Sequence, residues 1–132
     1  MEEAIMEKKS ISTTKQNLEN YAKTHDVKYV AEDAVFNNMG TGEETKGREA
    51  IAGMLQSLYH IAFDARAEVI NMIISQDKAV LEGSFKGKHV GAFAGLAATN
   101  KEVDGAICGS YDLEGGLMKQ GRIYLLSDVR MR

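Results

Sequence analysis

An α+β domain, in which helices cover one face of a strongly curved antiparallel sheet, is predicted by three features of this sequence. Apolar residues recur at helical spacing through the first half and alternate through the second. With 13 glycines and no proline in 132 residues, glycine alone can bend the alternating stretches.

In chain order, "ISTTKQNLENYAKTHDVKYVAEDAVF" opens on Ser/Thr capping residues and then places Ile11, Leu18, Tyr21 and Ala22 at helical spacings. This predicts one helix, followed by a short second one near 26–31. A β-rich stretch, Ala34 to Phe36, then breaks into the glycine-containing "NNMGTGEETKG". Helical period returns over 47–62 through Ile51, Met54, Leu55, Leu58 and Ile61, the surface stripe of an amphipathic helix. Beyond Asp64, "ARAEVINMIISQDKAVLEGSFKGKHVGAF" reads as two strands turned at "SQDK". The segment "KEVDGAICGSYDLEGGLMKQGRIYLLSDV" reads as two more, turned at "EGG". Gly83, Gly87, Gly91, Gly105 and Gly109 fall within these strands and predict bulges or sharp curvature.

The length fits one domain, 1–132, with "MEEAIMEKK" as a frayed, solvated end. A net charge of −3 lacks the positive field that nucleic acid or an anionic membrane needs, so neither is an expected partner. The single Cys108 cannot make an intrachain disulfide, and no apolar run approaches the length of a membrane span. "MEEAIMEKKS" lacks the apolar core of a signal peptide, and the expected location is cytoplasmic. His25, His60 and His89 lie far apart with no Cys or His pair at ligand spacing, so no metal site is expected.

The runs "YVAEDAVFNNMGTGEETKGREAI", "LYHIAFDA", "GKHVGAFAGLAATNKEV" and "LEGGLMKQGRIYLLSDV" resemble, in order and spacing, the SnoaL-like polyketide cyclase and ester cyclase group of the nuclear transport factor 2-like superfamily. The resemblance runs from about Asn17 to Asp128. Its most specific part is His89, Gly91, Phe93 and Gly95, followed by "AATNK", where Ala98 and Asn100 replace the usual Pro and Gly. Asn tolerates a left-handed turn, so the loop shape is expected to survive. The resemblance implies a cone with a deep apolar pocket, no cofactor, and a homodimer formed through the outer sheet face. Val80, Met118, Tyr124 and Leu126 are the apolar residues expected on that face.

Alternation sorts the candidate site residues. Ala79, Leu81, Gly83, Phe85, Gly87 and His89 form one inward set, so His89 ends an apolar row at the pocket wall, either bonded to its loop or facing a ligand. On the next strand Asp104, Ala106, Cys108, Ser110, Asp112 and Glu114 form a set with small side chains between acids. That set suits a pocket floor or a solvated surface. One of Asn37 and Asn38 must face the pocket if their strand is regular, and Tyr21 and Tyr59 are either core or pocket lining. Phe85 and Phe93 complete the expected substrate-binding set.

By the resemblance, Asp104 stands near the position of the cyclases' acid/base aspartate, with Asp112 as the second possibility and His89 as polariser of a substrate carbonyl. An apolar cone would raise such a carboxyl toward neutrality and improve it as a base. The implied activity is cofactor-free intramolecular aldol cyclisation, in the lyase or isomerase class, of a small apolar or polyketide-like molecule. A non-catalytic ligand-binding or structural dimer is the alternative, as is an isomerase or epoxide hydrolase on the same scaffold. Epoxide hydrolysis needs an Asp-Arg-Asp relay, for which Arg48 and Arg66 are the nearest central arginines.

Overall fold

The computed structural model describes residues 2–93 and 95–126, with side chains between Ile11 and Leu125. Helix α1 (Glu2–Thr24) buries Thr14, Leu18, Tyr21 and Ala22, one stripe at the helical period. Its backbone is helical from Glu2, consistent with a segment free of Gly and Pro. It ends at His25, which takes a left-handed φ of 54° and donates its backbone N–H to the Tyr21 carbonyl at 2.7 Å. The second helix expected near 26–31 is only a 3-10 turn, Val27–Tyr29, capped by the Asp26 carboxylate accepting from the Lys28 N–H. The chain then extends directly into β1 (Val30–Asn38), which folds back as the short β2 (Glu44–Lys46).

Helix α2 (Arg48–Gln56) buries Ile51 and Leu55 and then widens into a π-helical turn, Ser57–Ala62, which buries Tyr59 and Ala62. The predicted helix over 47–62 is present, but its last six residues have the wider hydrogen-bond spacing. Strands β3 (Phe63–Ile74), β4 (Lys78–His89), β5 (Glu102–Glu114) and β6 (Leu117–Leu126) follow as consecutive antiparallel partners. The sheet order is β2-β1-β6-β5-β4-β3. It is antiparallel except where β1 runs parallel to β6, with Phe36 opposite Gly121.

The structure is the expected α+β cone, with the open, curved sheet wrapped around the helices. Its core joins Leu18, Ile51 and Leu55 to Phe36, Phe63, Leu81 and Phe85, with Leu58 packed at its edge. At Gly83 and Gly87 a Cβ would stand 2.2 Å from the β3 carbonyls of Glu68 and Asp64, so only glycine permits the close approach of the two strands. Gly91 lies beyond β4, whose last residue is His89. Asn100 does adopt the left-handed conformation, at φ 56°.

Register irregularities decide which face several residues occupy. Between β5 and β6, Asp112 pairs with Gln120 and Leu113 with Met118, leaving Lys119 as an extra residue. Met118 is therefore turned inward and fully buried, which corrects its expected place on the outer face. Tyr124 and Val80 are half-buried, and the side chain of Leu126 lies outside the described set. No helix among the described residues is long and apolar enough to cross a membrane.

Candidate functional site

A cavity of about 440 Å³ occupies the cone. Its walls are mostly apolar: Met54, Leu55 and Leu58 from the α2 segment, Leu81 from β4, Ile107 from β5, and Ile123 and Leu125 from β6. Asn37, Asn38, Thr41, Glu43 and Thr45 line it from the β1–β2 hairpin. Four polar rings, Tyr21, His25, Tyr59 and Tyr111, also line it.

These rings form one cluster. His25 stacks on Tyr59 with centroids 3.9 Å apart and planes at 23°, and meets the edge of Tyr21 at 5.7 Å. Tyr21 in turn meets the Tyr111 ring edge-on at 6.4 Å. Burial holds all three phenols above their usual range, assisted at Tyr21 by neighbouring Tyr111 and at Tyr111 by Tyr59. Burial also lowers His25, with the nearby His60 contributing, to about 4. Near pH 7 the whole cluster is neutral.

Of the residues singled out in the sequence, Tyr21, Asn37, Asn38, Tyr59 and Phe93 line this cavity. The Asn38 carboxamide oxygen is already engaged, accepting from the N–H groups of Gly40 and Thr41 at 2.9 and 3.1 Å. Phe85 is fully buried behind the wall, against Tyr59 and Phe63. His89 is inward and buried, as its alternation requires, but does not line the cavity. It packs on Phe63, and its Nδ1 is 3.1 Å from the Thr99 hydroxyl of its own loop.

Neither aspartate lines the cavity. On β5 the inward set is Val103, Gly105, Ile107, Gly109, Tyr111 and Leu113, which turns the acid-containing set outward. Asp104 is exposed in register with Lys86. Asp112 accepts from Lys78 Nζ at 2.9 Å and Arg122 Nη2 at 2.8 Å. These hydrogen bonds, that of Arg122 above all, hold its carboxyl well below the usual carboxylate range, opposite to the direction a base in the cone needs. From β5 the cavity is lined by Ile107, Gly109 and Tyr111, and the set with the small side chains Ala106, Cys108 and Ser110 faces outward with the acids.

His25 and Tyr111 were not anticipated as site residues. Tyr111 carries a sequence signal, since it shares the inward alternation with Gly109, whose missing side chain leaves room for its ring. His25 carries a fainter one: it follows the last helical residue, where a left-handed conformation is common and Gly is the usual occupant.

The architecture defines a nuclear transport factor 2-like α+β cone with an internal small-molecule cavity. The sequence model of the SnoaL-like polyketide cyclases matches residues 13–125, and the chain belongs to that family. No curated protein matches it. Among solved structures, a protein from a Jannaschia species assigned as a SnoaL-like polyketide cyclase superposes with a TM-score of 0.77 at 14% identity, over 86% of this chain and 85% of that one. One from Xanthomonas campestris assigned as a polyketide cyclase gives 0.73 at 18%, over 88% and 90%. A ketosteroid isomerase-like fold from Catenulispora acidiphila, in complex with trimethylamine, gives 0.61 at 15%, over 74% and 70%. At these identities the likeness concerns the fold.

Proposed function

We propose that the cone takes up a small, neutral, largely apolar ring compound bearing carbonyl or hydroxyl oxygens, of polyketide type, and acts on it by a cyclase-type acid/base step using its own side chains. The observation carrying this reading is the cavity itself: its volume lies within the range of small-molecule sites, about 300–1,000 Å³. Its walls are mostly apolar, and three phenols and an imidazole form one neutral cluster in them, apart from the polar residues of the β1–β2 hairpin. Such a cluster can donate to and accept from a ketone or phenol, but it offers an anion no countercharge.

The second reading, a binder without chemistry, is favoured by one observation. Two of the three acidic residues along the cavity are committed elsewhere: Glu68 pairs with Arg66 and Lys86, and Glu82 accepts from Asn71. Glu43 stands exposed at the β1–β2 turn. Ile73, 59% exposed and paired with Val80 on the outer sheet face, supports the pairing of two copies that the family resemblance implies.

The chain has no tryptophan, so its intrinsic emission comes from five tyrosines, three of which line the cavity. Titration with 1-tetralone and with 1-naphthoate, followed by tyrosine emission, tests the binding reading. Saturable binding of the neutral ketone, about tenfold or more tighter than the anion, is expected because the apolar site strands an unpaired charge. No saturable binding of tetralone, or preference for the anion, would refute it.

A further inference from the structure

Two backbone irregularities converge on one side-chain pair. His25 is one of two non-glycine residues with positive φ among the described residues, and it lines the cavity just beyond the end of α1. Tyr59, on which it stacks, is presented by the π-helical turn, a wider coil that often marks functional positions. Strained or unusual backbone persists where surrounding structure fixes it, and here both departures serve to hold an imidazole against a phenol ring in the cavity wall. The groups facing that imidazole are Tyr21 from α1 and Tyr59 and His60 from the π turn.

We infer that His25 is the proton-transfer group of this cone, in the role that the family resemblance implied for an aspartate. The inference rests on the reading that the chain acts on its ligand. A neutral imidazole nitrogen takes a proton from the carbon beside a ligand carbonyl, and the C–H bonding pair becomes an enolate whose oxygen is faced by neutral phenols such as Tyr21 and Tyr111. The enolate carbon attacks a second carbonyl of the same molecule and forms the C–C bond. The imidazolium then returns its proton to the new alkoxide, so nothing else is consumed. Burial, which disfavours the imidazolium, promotes that return and at the same time makes the imidazole a weaker base in the first step.

The test uses the full chain in D2O with 1-tetralone, a bicyclic aryl ketone, following exchange of its α-protons by NMR and its binding by tyrosine emission. The informative variant is His25→Asn, because Asn tolerates the left-handed backbone while lacking a basic nitrogen. The wild type is expected to catalyse exchange, and His25→Asn to bind tetralone but exchange it about 100-fold more slowly or worse. Asp104→Asn should exchange as the wild type does.

Exchange retained in His25→Asn, or lost in Asp104→Asn, overturns the assignment. Tetralone bound but not exchanged by the wild type also overturns it and leaves the binding reading intact, whereas absence of binding defeats both. A ligand-free readout stands apart from turnover: by NMR the His25 ring should remain neutral down to about pH 4. A midpoint near its ordinary value of 6.5 would show a solvated ring and contradict the stack against Tyr59 in the cavity wall from which the inference is argued.

Discussion

Gly109→Ala tests the geometry of the cavity floor. A Cβ there would stand 2.3 Å from the Tyr111 hydroxyl oxygen and 2.6 Å from the ring carbons Cε2 and Cζ, well inside contact distance. The ring has little freedom to yield, because Tyr21 and Phe36 flank it with centroids at 6.4 and 5.7 Å and only 5% of Tyr111 is exposed. Overpacking of this kind costs about 1–3 kcal/mol, and roughly 2 is expected here. For a chain of this size that corresponds to a fall in Tm of roughly 8 °C, measurable by circular dichroism. The remaining open direction for the phenol is the cavity, so tetralone affinity should also fall, by about tenfold for 1.4 kcal/mol of lost binding. An unchanged Tm together with unchanged affinity would show that Tyr111 does not lie over Gly109.

Four further outcomes are expected. Gly53→Ala should raise stability by about 0.5–1 kcal/mol in chemical denaturation, since the residue lies in α2 with nothing within 4 Å of an added Cβ and alanine restricts the unfolded chain. His25 has its folded pKa lowered from 6.5 to about 4, so the unfolded state binds more protons between those values and wild-type stability falls as pH drops through that window. Measured against His25→Asn by urea unfolding at pH 7 and pH 4, the difference should be roughly 2 kcal/mol after discounting for partial exposure. Asp104→Asn should change stability by less than about 0.5 kcal/mol. Asp112→Asn should cost up to about 1 kcal/mol above the carboxylate range, an advantage of the wild type that disappears as acid protonates Asp112, because its pairs with Arg122 and Lys78 are at the surface.

Much of the fold was legible because two periods dominate the sequence. The stripe through Ile51 and Leu55 and the alternation through Leu81, Phe85 and His89 place those side chains in the core, as expected. The bulge at Lys119 was not legible, since one extra residue breaks the alternation between the two sides of it and leaves no compositional mark; Met118, on the near side, therefore does not share a face with Arg122 and Tyr124. The parallel pairing of β1 with β6 is a long-range contact that local pattern does not encode.

On β5 alternation separated the two faces correctly but left their direction open, because both carry small residues. The deciding feature was Tyr111, whose bulk needs Gly109 beside it and an interior to occupy. His25 escaped notice because its position depends on a left-handed residue at a helix end and on a partner 34 positions away on a π turn, neither of which has a period.

The most direct measurement of the central claim is the location of bound 1-tetralone, by NMR of the full chain labelled at its aromatic side chains and backbone. The account predicts saturable shifts and ligand-to-protein NOEs at Tyr21, His25, Tyr59 and Tyr111, with Asp104 and Asp112 unmoved. NOEs confined to the outer sheet face, or saturation without contact to the His25–Tyr59 stack, would contradict it.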